Sequence, residues 1–464
     1  MSKLIGTKAF YKSVLTVAVP ILIQNGITTF VSLLDNIMIG QVGTEQMSGV
    51  AIVNQVLFVY NLALFGILSG ASIYGAQFYG KGDWEGLRST FRFKVSAGLA
   101  VFGCGLAVFL LGGPQMIELF LHESDAGADL GAALSAGTGY LALMLLGLLP
   151  YAVSQIYAST LRETGETMVP MYAGVAAVIV NLLFNYILIF GKLGAPALGV
   201  QGAAIATVLS RYVECAIILI WTHRHPERNR FIVGAYRTLR VPRALVGQIV
   251  RKGTPLAVNE VLWSLGMTVL VQCYSLRGLD VVAAVNITNT INNLFTTVFM
   301  AIGTAVSILV GQLLGANRME EARDTAYKTI CFSVLCCVVT GLVMAGLSSL
   351  FPRIYNTTAE VRALAAQLIL VMAVCMPHNA FLHATYFTIR SGGKTVITFL
   401  FDSGFTWVVS IPLAYLLTWG TGLSTLWIFA AVNAADLFKC VIGFFLLRSG
   451  FWMNNMAGDP SLAR

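Results

Sequence analysis

"GAQFYGKGD" (Gly75–Asp83) and "VGQLLGANR" (Val310–Arg318) carry one pattern at two places, 235 residues apart. Gln77 falls on Gln312 and Gly80 on Gly315. The same shift lays Pro20 on Pro255, Asn25 on Glu260 and Asn54 on Asn289. Further along, a shift of 228 lays "TLRETGET" (Thr160–Thr167) on "TIRSGGKT" (Thr388–Thr395), so that Arg162 meets Arg390, Gly165 meets Gly393 and Arg211 meets Lys439. Self-similarity at a fixed period marks duplicated structural units. The chain is therefore read as two similar halves.

Composition says what each half is made of. Of 464 residues, 57% are hydrophobic and only 11% charged, where a soluble domain carries about a quarter charged. The mean hydropathy is +0.78. Apolar runs long enough to cross a ~30 Å hydrocarbon layer recur throughout. Their limits are predicted at 14–40, 49–79, 89–112, 132–161, 169–191, 200–223, 245–275, 286–315, 326–350, 361–389, 397–419 and 423–447. With the N-terminus inside, roughly 24 of the 29 Lys and Arg fall in inside loops, tails or adjoining helix ends. Lys192, Arg277, Arg353 and Arg362 lie outside, and Arg211 lies within a span. Both termini are expected in the cytoplasm of a multi-pass plasma-membrane protein.

Six spans per half is an even number, so both halves enter the membrane from one side. The expected fold is all-α and polytopic: twelve transmembrane helices in two six-helix lobes related by a pseudo-two-fold along the membrane normal. The lobes are placed at 1–223 and 245–450, with a basic cytoplasmic connection at 224–244 and a cytoplasmic tail at 451–464. Parallel repeats with a cavity between them are the plan of alternating-access transporters.

Other classes lose ground on specific residues. The net charge of +8 sits in alternate loops and so encodes orientation; no nucleic-acid partner is expected. Cys104, Cys215, Cys273, Cys331, Cys336, Cys337, Cys375 and Cys440 fall in apolar segments without metal-ligand spacing. Lys3, Lys8 and Lys12 before an apolar run resemble a signal peptide, but the run reaches about Gly40 and contains Asp35, too long for a cleaved segment. No phosphate-binding loop, nucleophile elbow or HExxH motif occurs, so the chain is not read as an enzyme and needs no cofactor. No filter-like re-entrant loop points to a channel.

Intramembrane polar residues carry the functional reading. At 1.5 Å rise per residue, Asp35 lies ~8 Å below the outer end of the first span. Asn185, in the fifth span, lies ~9 Å below its outer end, and Thr207, in the sixth, ~10 Å below its start. Asn181 is one turn from Asn185 on the same face. These four residues share a layer, and hard oxygen ligands with one carboxylate suit Na⁺ or a proton. Their counterparts in the second half are apolar: Asp35 falls on Leu270, Asn181 on Val409 and Asn185 on Leu413. The second half offers Glu260 in "PLAVNEVLW", with His378, Asn379 and His383 in "MPHNAFLHATYF", as coupling or substrate-facing groups. Asp436 with Lys439, and Arg211 with Glu214, are read as self-neutralising i,i+3 pairs. Asp402 is expected to pair with a basic group at the lobe edge.

"VPILIQNGITTFVSLLDNIMIGQVG", "LRETGETMVP", "NLLFNYILIFG" with "LGVQGAAIAT", and "TPLAVNEVLW" together resemble the multidrug and toxic compound extrusion (MATE) family over essentially the whole chain. The resemblance implies Na⁺- or H⁺-coupled efflux of amphipathic, often cationic drugs or toxic compounds. The chain is expected to act as a monomer in contact with membrane lipid. Family cation-site positions carry over onto Asp35, Asn181, Asn185 and Thr207, and the second-lobe acidic position onto Glu260. Where some bacterial members have an acid in the tenth span, Asn379 stands here, which moves weight to the first lobe. The competing reading is a lipid-linked precursor flippase of the same superfamily, which should have a strongly basic central cavity.

Overall fold

The computed structural model describes residues 4–42, 44–119 and 130–459, and every regular element among them is helical. In chain order these are α1 (Lys8–Gly40), α2 (Thr44–Lys81), α3 (Trp84–Glu118), α4 (Leu130–Leu145), α5 (Leu148–Glu163), α6 (Met168–Phe190) and α7 (Gly199–Arg224). The second half follows with α8 (Arg243–Ser275), α9 (Leu279–Gly315), α10 (Met319–Leu347), α11 (Ala359–Ser391), α12 (Thr395–Gly420) and α13 (Thr425–Ser449). Eleven are long and apolar enough to cross a membrane, and α4 with α5, bent by 49° at their break, make a twelfth if the pair counts as one span. Most helices run past their predicted limits. Backbone groups are paired within a helix, so it can continue into the interface after its apolar stretch ends.

Two elements depart from regular helix where a polar group intervenes. In α12 the turns Leu400–Gly404 and Thr406–Ser410 are π-helical. The wide turn is held by Asn259 of α8, whose Oδ1 accepts from the Ser403 backbone N–H at 3.2 Å and from Ser403 Oγ at 2.8 Å. The connection after α7 folds as two short 3₁₀ turns, Arg230–Ile232 and Ala235–Arg237, with Phe231 buried. Arg92 of α3 holds it by donating to the carbonyls of Ala235 at 2.9 Å and Gly234 at 3.0 Å.

The described residues pack as two compact units. One takes Ile23–Gly75 and Trp84–Gly247; the other takes Met1–Leu22, Ala76–Asp83 and Gln248–Arg464. Within the first, Val53, Val56, Tyr140, Leu141, Ala203 and Ala204 belong to one buried apolar cluster. Within the second, Ile291, Phe299, Leu368, Met376 and Ala380 do the same. Large apolar side chains such as Leu111, Val374 and Phe438 stand on the outside, where hydrocarbon rather than water would solvate them. The final residues of the expected tail, 460–464, lie outside the described ones.

Candidate cation and substrate sites

The first unit joins Asp35, Asn181, Asn185 and Thr207 into one chain of hydrogen bonds. Asn185 Nδ2 donates to Asp35 Oδ1 at 2.6 Å and to Asn181 Oδ1 at 3.1 Å, and Asn181 Nδ2 donates to Thr207 Oγ1 at 3.3 Å. Helix packing makes this possible. Asn181 and Asn185 are both buried on one face of α6. Gly202 of α7 lets α6 come close: a Cβ there would stand 2.6 Å from the Leu188 carbonyl oxygen. The loop between the two helices closes with Leu198 N donating to Leu188 O at 2.8 Å, which sets Thr207 opposite Asn181.

The acceptors in this layer outnumber its donors. Asn185 is 1% exposed, and its Oδ1 is buried without a hydrogen-bond partner. Leaving such an oxygen unpaired costs about 1–3 kcal/mol. It sits on the same amide that binds the carboxylate. A bound cation, or a proton placed on Asp35, would meet that surplus of oxygen lone pairs. The carboxylate, amide and hydroxyl oxygens of this layer are hard donors of the kind that suit an alkali cation or a proton.

The second unit holds a cavity of about 200 Å³. Asn379 and His383 line it together with Asp402, Asp436 and Lys439, and His383 stacks on Phe299 at 4.6 Å. Glu260 and His378 are not among its lining residues. His378 Nε2 is buried without a partner. Of the four second-half candidates, two line the cavity and two do not.

The pairing of the charges corrects the i,i+3 reading. Lys439 donates to Asp402 Oδ1 at 3.0 Å, while Asn259 donates to Asp402 Oδ2 at 3.1 Å. Asp402 thus pairs inside the unit and not at its edge, and Asp436 does not take Lys439. Asp402 comes from α12 and Lys439 from α13, so spacing along either helix does not reveal the pair. Arg211 lies 4.9 Å over the Tyr151 ring, and no ion pair joins it to Glu214 among the described residues. Arg162 donates to Gln24 Oε1 at 2.8 Å. Lys94 and Glu163 form a further buried ion pair, with Lys94 also donating to Ser159 Oγ and Thr160 Oγ1, each at 3.1 Å. No spacing signal joins Lys94 to Glu163, because they come from α3 and α5.

The MatE family model matches residues 20–187 and 255–416, two blocks whose starts are offset by the shift that lays Pro20 on Pro255. This chain belongs to the MatE family. It is 24% identical over 444 residues to the probable multidrug resistance protein NorM of Thermotoga maritima, covering 95% of this chain and 93% of that one. It is 23% identical over 434 residues to the probable multidrug resistance protein YoeA of Bacillus subtilis, covering 92% and 90%. Its fold matches that of an outward-facing MATE family transporter of the MOP superfamily with a TM-score of 0.85, at 19% identity over 96% of this chain and 97% of that one. MatE proteins are transporters, and enzymatic chemistry is no part of their activity.

Proposed function

We propose that this MatE protein is an antiporter that exports amphipathic, often cationic drugs or toxic compounds against entry of Na⁺ or H⁺. Its likeness to proteins named for multidrug resistance supports the substrate class. The observation that carries the coupling is the layer around Asp35: one carboxylate tied to Asn185, whose own amide oxygen is buried and unpartnered. Charges inside membrane-spanning helices are expensive and mark ion pathways. The cation neutralises Asp35 in the state open to the outside and biases the protein toward rearrangement, since a ligand shifts an equilibrium by its differential affinity for the two states. Drug leaves, and the protein returns open to the cytoplasm, where both termini lie. Glu260, Asn379, His378 and His383 serve the second lobe as coupling or substrate-facing groups. The flippase reading has less support, because carboxylates at Asp35 and Glu260 do not suit an anionic head group.

The test is purified protein in proteoliposomes loaded with ethidium, under an imposed Na⁺ gradient or an imposed H⁺ gradient. Export accelerated by one of the two supports the proposal and names the ion. Export indifferent to both, with protein correctly inserted, sinks it.

A further inference from the structure

A fully hydrogen-bonded buried side chain outside the candidate sites is Gln77, the residue on which the repeat was first read. Its side chain is fully buried. Nε2 donates to the carbonyls of Ser391 at 3.0 Å and Asn454 at 3.1 Å. Oε1 accepts from the backbone N–H of Met456 at 2.7 Å and of Ala457 at 3.3 Å. A glutamine amide has two donors and two acceptor lone pairs, so all four are used, three of them on the segment after α13.

That segment, residues 451–459, has no regular secondary structure beyond turns. Its order comes from what it touches. Trp452 is fully buried in an apolar cluster with Val306, Val310, Leu314 and Ile389. Gly392 admits it, since a Cβ there would stand 1.6 Å from the Trp452 carbonyl oxygen. Lys81 donates to Ala457 O at 2.7 Å, Asn455 to Gly315 O at 3.4 Å, and Gln248 to Asp459 Oδ2 at 3.0 Å. The segment thereby ties the ends of α2, α9 and α11 to the start of α8.

The end of α2 is the telling partner. Ala76–Asp83 packs in the unit of the second half, whereas α2 up to Gly75 packs in the other. Its own contact with α9 is a glycine crossing: a Cβ on Gly80 would stand 1.9 Å from Gln312 O, and one on Gly315 1.9 Å from Gln77 O. Such backbone contact is close but brings no directional bond by itself. The side chains of Gln77 and Lys81 at this end of α2 direct their bonds to the tail and to Ser391.

We propose that residues 451–459 are a strap that pins the end of α2 to the second-half unit, and that opening to the cytoplasm requires the strap to let go. This rests on the proposed orientation and alternating access. Breaking it exposes Ser391, 1% exposed beneath Gln77, and frees the last turns of α2. A bistable contact of this kind sets the fraction of time spent open to one side.

The test places a reporter, Ser391→Cys, in a background whose eight native cysteines are replaced, and measures its alkylation by a membrane-impermeant maleimide in inside-out and right-side-out vesicles. Gln77→Leu should speed alkylation about tenfold, the factor that one to two net hydrogen bonds carry. Lys81→Met, a milder loss at the strap's far end, should speed it about threefold, and serves if Gln77→Leu does not fold. Acceleration in inside-out vesicles supports the strap and the orientation together. Acceleration in right-side-out vesicles alone supports the strap and overturns the orientation. Unchanged alkylation in both folded variants overturns the strap, whatever happens to efflux.

Discussion

Replacing Asp35 by Asn changes one oxygen to an amide nitrogen and removes the formal negative charge from the Asp35–Asn185–Asn181–Thr207 chain. The fold should tolerate it. An amide oxygen at position 35 can still accept from Asn185 Nδ2, so the 2.6 Å bond changes from charge-assisted to neutral, a difference of about 1 kcal/mol. Removing a partly desolvated charge offsets some of that loss. The cation has no such substitute. At about 4 Å and an effective dielectric near 20, a unit charge contributes about 4 kcal/mol, which is close to a thousandfold in dissociation constant. The assay is ethidium efflux from proteoliposomes against a titrated coupling ion, with thermal unfolding in detergent to confirm a folded variant. The variant should unfold within a few degrees of the wild type and show no saturable dependence on the ion. A half-saturating ion concentration within threefold of the wild type would refute the assignment of Asp35.

Three further outcomes follow from the two sites. Thr207→Val keeps the side-chain volume but leaves Asn181 Nδ2 without its 3.3 Å acceptor, and should raise the half-saturating ion concentration about fivefold in the same efflux assay. Gly202→Ala sets a Cβ against the Leu188 backbone, so α6 and α7 must part; about 1–3 kcal/mol of destabilisation and weakened ion dependence should appear together in unfolding and efflux measurements. Lys439→Met leaves Asp402 charged inside the second unit and should cost about 3–5 kcal/mol, whereas Lys439→Met with Asp402→Asn should recover most of it. Unfolding of the two single variants and the double variant measures that coupling, and additive losses would contradict the pairing.

The Asp35 layer was legible because a helix advances by a fixed rise per residue. Counting inward from Gly40, Gly191 and Val200 brings three helices to one depth without any knowledge of their packing. Depth does not say which atoms meet: that Asn185 bridges Asp35 and Asn181, and leaves Oδ1 alone, depends on the approach of α6 to α7 at Gly202. The second half was harder to read for a different reason. Lys439 takes its partner from another helix, Asp402 of α12, so the i,i+3 spacing within α13 misassigned it to Asp436. Lys94 with Glu163, and Gln77 with the tail, join elements distant in sequence, and neither has a local spacing to betray it. The repeat was visible through Gln77 and Gly80 because the glycine crossing there constrains residue type in both halves at once. The bend between α4 and α5 was not foreseen, although Gly147 and Pro150 stand beside it.

Coupling is reciprocal: if an ion gradient drives the drug outward, a drug gradient must drive the ion inward. The most direct test is therefore cation flux itself, measured with radioactive Na⁺ and with a lumenal pH dye in proteoliposomes where only a drug gradient is imposed. Wild-type protein should move one of the two ions opposite to the drug, and Asp35→Asn should move neither. Drug movement without any opposing Na⁺ or H⁺ flux, or ion flux that survives in Asp35→Asn, would contradict the coupling.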